Sequence, residues 1–209
     1  MIGDKLVITE YHEENGRRVA AACAKIIADL DRPIAITVAG ESGSGKSETA
    51  ATTARELIAT GLKVAILGQD DYFRLPPRSN AARRKQGIDW VGMGEVRLDL
   101  MDEHLAAAKR RAESIVKPLV VFDEDRITEE TVSLEGVDAV IAEGTYTTAL
   151  KEADFRAFID RTYIDTLEHR KRRARDVAEG AHIEKILKIE HEIISDHKRL
   201  ADLVLPPSY

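Results

Sequence analysis

The eight residues Gly40, Glu41, Ser42, Gly43, Ser44, Gly45, Lys46 and Ser47 constrain this chain more than any other stretch. They fit G-x-x-x-x-G-K-S in full, a pattern that carries meaning only between a strand and a helix. Both neighbours are present. Residues 34–39, with Ile34, Ile36, Thr37 and Val38, form a short β-branched apolar run, as expected of a strand buried on both faces. Residues 46–60 read as a helix, with Gly61 as its C-cap. In such a loop the glycines let successive N–H groups turn inward, and the following helix adds the positive end of its dipole. Gly40, Ser42, Gly43, Ser44 and Gly45 are therefore the expected phosphate cradle, continued by Glu48 in the first helical turn. Lys46 would reach the terminal phosphates and Ser47 would hold Mg²⁺. The ligands expected here are ATP, or another nucleoside triphosphate, and Mg²⁺.

The rest of the chain fits one parallel α/β unit. Residues 63–68 form a second strand, so strand, loop, helix and strand make a βαβ unit. Upstream, residues 12–30 place Val19, Ala22, Cys23, Ile26, Ile27 and Leu30 on one helical face. Asp31, Arg32 and Pro33 end that helix. Residues 72–96 scatter Pro76, Pro77, Gly87, Gly92 and Gly94 among charges and read as a long irregular connection, a kind of loop that is usually functional. Residues 97–114 return to helix, and residues 117–127 hold one or two strands. Residues 137–142 form another core strand, and a strand follows within 155–164. Helices are expected over 166–178 and 182–199, with a closing strand at 201–206. A length of 209 residues suits a single domain, 1–209, rather than two.

Charge and cysteine content exclude several classes. The net charge is -6, which disfavours sequence-independent nucleic-acid binding. The single cysteine, Cys23, permits no intrachain disulfide and reads as a buried, inert thiol. No secretory leader and no membrane-length apolar run is visible, so a cytoplasmic protein without a membrane role is expected. A homo-oligomer is compatible with the sequence.

Three further features belong with a phosphate site. Gln69, Asp70, Asp71, Tyr72 and Phe73 follow the second strand, and the carboxyl ends of parallel strands border the ligand crevice. A carboxylate there can orient an attacking hydroxyl and take its proton, or it can simply be a turn aspartate. Glu143 follows the strand at 137–142, as an acid that helps hold Mg²⁺ does. Arg170, Lys171, Arg172, Arg173 and Arg175 crowd one helical stretch, with Arg172 and Arg175 on a shared face. They form either a solvated basic face or a lid over the triphosphate. Trp90 is either a core anchor or a platform for a flat substrate. His182, His191 and His197 read as exposed or capping residues.

In order and type, these motifs resemble the uridine kinase and phosphoribulokinase family. The resemblance runs over about residues 34–206 and includes Ala142-Glu143-Gly144 and the closing 200–206 strand. It implies a three-layer P-loop kinase fold: a parallel five-stranded sheet with helices on both faces and an arginine-rich lid helix. It also implies transfer of the ATP γ-phosphate to a hydroxyl of a small-molecule acceptor. By the motif match, Asp70 is the catalytic base and Glu143 the Mg²⁺-side acid. Arg170, Arg172 and Arg175 are lid arginines, and Tyr72 and Phe73 border the acceptor. Residues 1–32 then form an N-terminal helical extension, 72–96 an acceptor-side loop and 166–180 the lid.

The acceptor side departs from uridine kinases. Val91 stands where their acceptor loop has an aspartate, and Val120 and Asp125 stand where a base-facing tyrosine and histidine are expected. Asp89 and Asp125 remain as candidates to hydrogen-bond a polyol or sugar, and Trp90 as the candidate platform on the acceptor side. The acceptor class stays open among nucleosides, sugars and pantothenate-like alcohols. A nucleotide-gated ATPase or regulator, with Asp70 or Asp71 orienting water, is the alternative function.

Overall fold

The computed structural model describes residues 6–166 and 180–208. In chain order, α1 is Glu10–Asp29, β1 Ile34–Gly40, α2 Lys46–Ala59 and β2 Val64–Gly68. Next come α3 at Pro77–Gln86, α4 at Leu98–Lys109, and the strands β3 at Ser114–Val121 and β4 at Arg126–Ser133. β5 is Ala139–Gly144, β6 Phe155–Ile159, α5 Gly180–His197 and β7 Leu203–Leu205.

Five strands form a parallel sheet in the order β2-β5-β1-β6-β7. β1 is buried along its whole length, as its apolar, β-branched composition requires. Its side chains alternate between two apolar layers, following the two-residue period of a strand. Ala35 and Ala39 join Leu67, Met101, Leu105, Val140, Phe158 and Ile194 on the α4–α5 side. Ile34, Ile36 and Val38 join Val19, Cys23, Leu57, Ile141 and Ala157 on the α1–α2 side. Helices therefore cover both faces, and truncating a central residue such as Ile36 to Ala would cost about 2–5 kcal/mol. Cys23 is fully buried, and burial pushes its thiol up to about 12, so it stays protonated and inert.

The stretch 72–96 is not the irregular connection that its prolines and glycines suggest. It contains the ten-residue helix α3 and two short 3₁₀ turns, Ile88–Trp90 and Met93–Glu95. α3 has no apolar face for a periodicity argument to find. It forms because Pro77 is preset for a first helical turn and because Asp125, from the β3–β4 turn, caps it. The Asp125 carboxylate accepts the Arg78 N–H at 2.6 Å, and the N–H and hydroxyl of Ser79 at 3.2 and 2.7 Å.

β3 and β4 pair only with each other, as an antiparallel hairpin outside the main sheet. A buried ion pair fixes the hairpin to the end of β2. Lys117 donates to Asp71 at 2.8 Å and also pairs with Glu130 at 2.5 Å, while the Val120 N–H donates to the second Asp71 oxygen at 3.0 Å. Residues 166–178, expected as a helix, fall largely outside the described residues.

Candidate active site

The loop between β1 and α2 lies at the carboxyl end of the central strand, where a parallel α/β sheet opens its ligand crevice. Gly45 has φ 95°, and a Cβ there would stand 2.5 Å from His12 Nε2 of α1. Only glycine fits that position. Lys46 curls back over the loop and donates to the Glu41 carbonyl at 2.9 Å. The Ser44 hydroxyl is buried with no hydrogen-bond partner among the described residues. A spare donor there suits a phosphate oxygen.

The strand register brings the carboxylates to this loop. Glu143 on β5 lies opposite Val38 of β1 and Gly68 of β2. Asp70 stands two residues beyond Gly68, in the 3₁₀ turn Gln69–Tyr72. Burial, with the negative charge of Asp70 adding to it, pushes the Glu143 carboxyl up to about 7. Lys46 and a hydrogen bond with Ser47 oppose this rise. Two carboxylates crowded beside a serine hydroxyl carry excess negative charge that a divalent cation relieves, so these residues fit Mg²⁺. Among the described residues no group of three or more His, Cys, Asp or Glu could hold a metal by itself.

Gln69 locks the two strand ends together. Its Oε1 accepts the Tyr146 N–H at 2.7 Å. A Cβ on Gly144 would come within 2.2 Å of the Gln69 side chain, so the glycine after Glu143 is a packing requirement.

A cleft of about 440 Å³ opens beside Asp70, lined by Ser42, Phe73, Asn80, Arg84, Thr145 and Glu190 among others. Its wall is a buried polar network. Arg84 forks onto Glu95 at 2.6 and 2.9 Å and reaches Glu190 of α5 at 3.0 Å. Asn80 donates to Glu95 at 2.6 Å and accepts the Trp90 indole N–H at 2.9 Å. Burial pushes the Glu190 carboxyl up; Arg84 offsets part of the rise and the Glu95 charge adds to it. One guanidinium between two buried carboxylates leaves acceptor capacity facing the cleft.

The residues expected from sequence are distributed unevenly. Lys46, Ser47, Glu143 and Asp70 come together, and Phe73 lines the cleft beside Asp70. Tyr72 does not border it. Its side chain is fully buried and its hydroxyl meets His104 Nδ1 at 2.8 Å, because the 3₁₀ turn directs it into the core. Asp125 is the cap of α3 rather than a cleft residue. Asp89 is exposed at the edge of the turn Ile88–Trp90, away from the cleft lining. Trp90 orients Asn80, with Arg83 5.3 Å from its ring centre. Arg170, Arg172 and Arg175 lie outside the described residues.

Five side chains were not singled out for the site they occupy: Asn80, Arg84, Glu190, Glu41 and His191. Glu41 sits within the loop and is buried; it pairs with His191 of α5 at 2.6 Å and accepts the Tyr163 N–H at 2.6 Å. His191 is therefore not a bystander. The one sequence signal for Asn80 and Arg84 is their spacing of four on a helix, legible only once α3 is known to be helical.

Residues 35–198 match the phosphoribulokinase / uridine kinase family. A uridine kinase of Bacillus pumilus (strain SAFR-032) is 31% identical over 192 residues, covering 84% of this chain and 87% of that protein. The solved structure of a possible uridine kinase from Bacillus stearothermophilus superimposes with a TM-score of 0.63 at 21% identity, over 92% of this chain and 99% of the other. Phosphoribulokinase from Rhodobacter spheroides does so with a TM-score of 0.63 at 15% identity, over 84% and 70% of the two chains. With its loop, paired carboxylates and parallel sheet, the chain belongs to the phosphoribulokinase / uridine kinase family and is a kinase that phosphorylates a small-molecule hydroxyl.

Proposed function

We propose that the phosphate donor is ATP with Mg²⁺ and that the acceptor is a small hydroxylated metabolite held against Asp70. The carrying observation is that Asp70 stands between Glu143 and the cleft formed by Phe73, Asn80, Arg84 and Glu190. A hydroxyl in that cleft lies beside a carboxylate able to accept its proton while the phosphate loop lies on the other side. Mg²⁺, when bound, would supply positive charge to offset the charge that develops on phosphoryl transfer. Ser47 and Glu143 are the residues that would hold it. Lys46 swings from the Glu41 carbonyl to the terminal phosphates, and the N–H groups of residues 43–48 orient the chain of phosphates. A hydrogen-bonding wall of Asn80, Arg84 and Glu190 suits a polyhydroxylated acceptor such as a sugar, a nucleoside ribose or a pantothenate-like alcohol.

The test is ATP consumption against a panel of uridine, cytidine, nicotinamide riboside, pantothenate and simple sugars. One acceptor is expected to raise turnover well above the acceptor-free rate. If hydrolysis proceeds equally with and without every acceptor, an ATPase replaces the kinase reading. In the Asp70→Asn variant the rate is expected to fall by roughly 10² or more with ATP binding intact. Wild-type turnover in that variant would remove Asp70 from the base role.

A further inference from the structure

The phosphate loop carries an acid of its own. Glu41 fills a position that G-x-x-x-x-G-K-S leaves free, and a carboxylate beside bound phosphates repels them. Both of its oxygens are engaged by residues outside the loop. Oε1 accepts from His191 Nδ1 at 2.6 Å, and Oε2 accepts the Tyr163 N–H at 2.6 Å. An ionised carboxylate can only accept, so Nδ1 carries the proton. The Tyr163 ring also meets the His191 ring edge-on, with centres 5.7 Å apart, so the three residues close on one another.

The main chain of Glu41 serves the loop itself. Its carbonyl accepts the Ser44 N–H at 3.2 Å and Lys46 Nζ at 2.9 Å. The Ser42 carbonyl beside it accepts the Thr166 hydroxyl at 3.0 Å. Lys46 therefore rests on the backbone of a residue whose carboxylate is buried and occupied elsewhere. Without the imidazole, that carboxylate keeps the Tyr163 N–H alone. A buried carboxylate short of donors is costly until it finds a cation. The loop's own cation is Lys46, the group that the phosphates need.

We propose that His191 is a positioning residue for phosphoryl transfer: it keeps the Glu41 carboxylate occupied and so leaves Lys46 available to the triphosphate. The proposal rests on the reading of residues 40–47 as a triphosphate site. It assigns to α5 a residue that acts on the nucleotide through Glu41 without touching it.

Calorimetric titration of the full chain with Mg²⁺ plus ATP, and separately with Mg²⁺ plus inorganic tripolyphosphate, tests it. His191→Ala is expected to weaken both ligands about tenfold and by the same factor, because the effect falls on the phosphates. His191→Asn keeps an N–H near the place of Nδ1 and is expected to stay within about threefold of wild type. The deciding variant combines Glu41→Gln with His191→Ala. It has no carboxylate to compete for Lys46, and is expected to bind both ligands at least about threefold more tightly than His191→Ala alone. A role in packing alone predicts the opposite, with the second change adding to the first loss. The proposal is overturned by wild-type affinity in His191→Ala, by His191→Asn as weak as His191→Ala, or by a double variant no tighter than the single one. Unfolding of His191→Ala that Glu41→Gln does not correct overturns it too. Wild type that binds neither ligand overturns the reading of residues 40–47 as well, whereas wild type that binds both with no effect at His191 overturns this proposal only.

Discussion

On the phosphate side of the cleft, Lys46, Ser47 and Glu143 stand on or beside buried, apolar strands whose geometry follows from local sequence. On the acceptor side, Asn80 and Arg84 stand on a helix with no apolar face, held by Asp125 from 47 residues beyond Arg78 and by Glu95 and Glu190. The first side is carried by hydrophobic burial and backbone hydrogen bonds. The second is carried by paired charge. The same catalytic cleft therefore has one wall that tolerates changes of charge and one that does not.

The sharpest way to break this contrast is Arg84→Met. It strands Glu95, which is fully buried, and Glu190 without their cation. A loss of about 3–5 kcal/mol is expected in denaturant unfolding; a loss under about 1 kcal/mol would mean the network is not holding the wall. Lys46→Ala should do the reverse, leaving the melting curve near wild type while lowering kcat by roughly 10²–10³. Unfolding of that variant at room temperature would erase the distinction between the two walls.

Glu143 sharpens the comparison through pH. Its folded-state value of about 7 lies above the ordinary 4.5, so the folded protein holds the extra proton between those values. Stability therefore falls as pH rises from about 4.5 to 7 and the carboxyl loses that proton. In metal-free buffer, Glu143→Gln is expected to be more stable than wild type by roughly 2–3 kcal/mol at pH 8, with the gain vanishing near pH 4.5. A pH-independent difference would refute the raised Glu143 carboxyl, which burial and then the Asp70 charge produce. The smallest effect is expected from Asp125→Ala, which removes the α3 cap at an exposed position. Acceptor KM should rise a few-fold while ATP KM and kcat hold. A collapse of kcat would instead make Asp125 a substrate ligand.

The same division explains what could be read from sequence. Residues 34–47 announce strand, loop and helix because burial on both faces leaves a β-branched signature and the loop needs its glycines. β2, β5 and the two-sided sheet follow for the same reason. α3 leaves no signature, since its stabilising partners are distant in sequence and polar. Asp125 looked like a substrate ligand because it is an acid near an expected acceptor site; its use as a helix cap depends on a hairpin turn that residue type alone does not reveal. Tyr72 and Phe73 are adjacent aromatics, and only the 3₁₀ turn decides that one enters the core and the other the cleft. Asp70 and Asp71 part in the same way, because Lys117 claims the second.

Adjacent residues of α5 grip both walls: Glu190 meets Arg84 in the acceptor cleft, and His191 meets Glu41 inside the phosphate loop. A shift of this helix on filling one site would therefore be felt at the other. Linkage makes that exchange symmetric, so whatever factor the acceptor applies to nucleotide affinity, the nucleotide must return to the acceptor. The coupling therefore favours neither order of arrival, which is left to each substrate's own affinity and concentration.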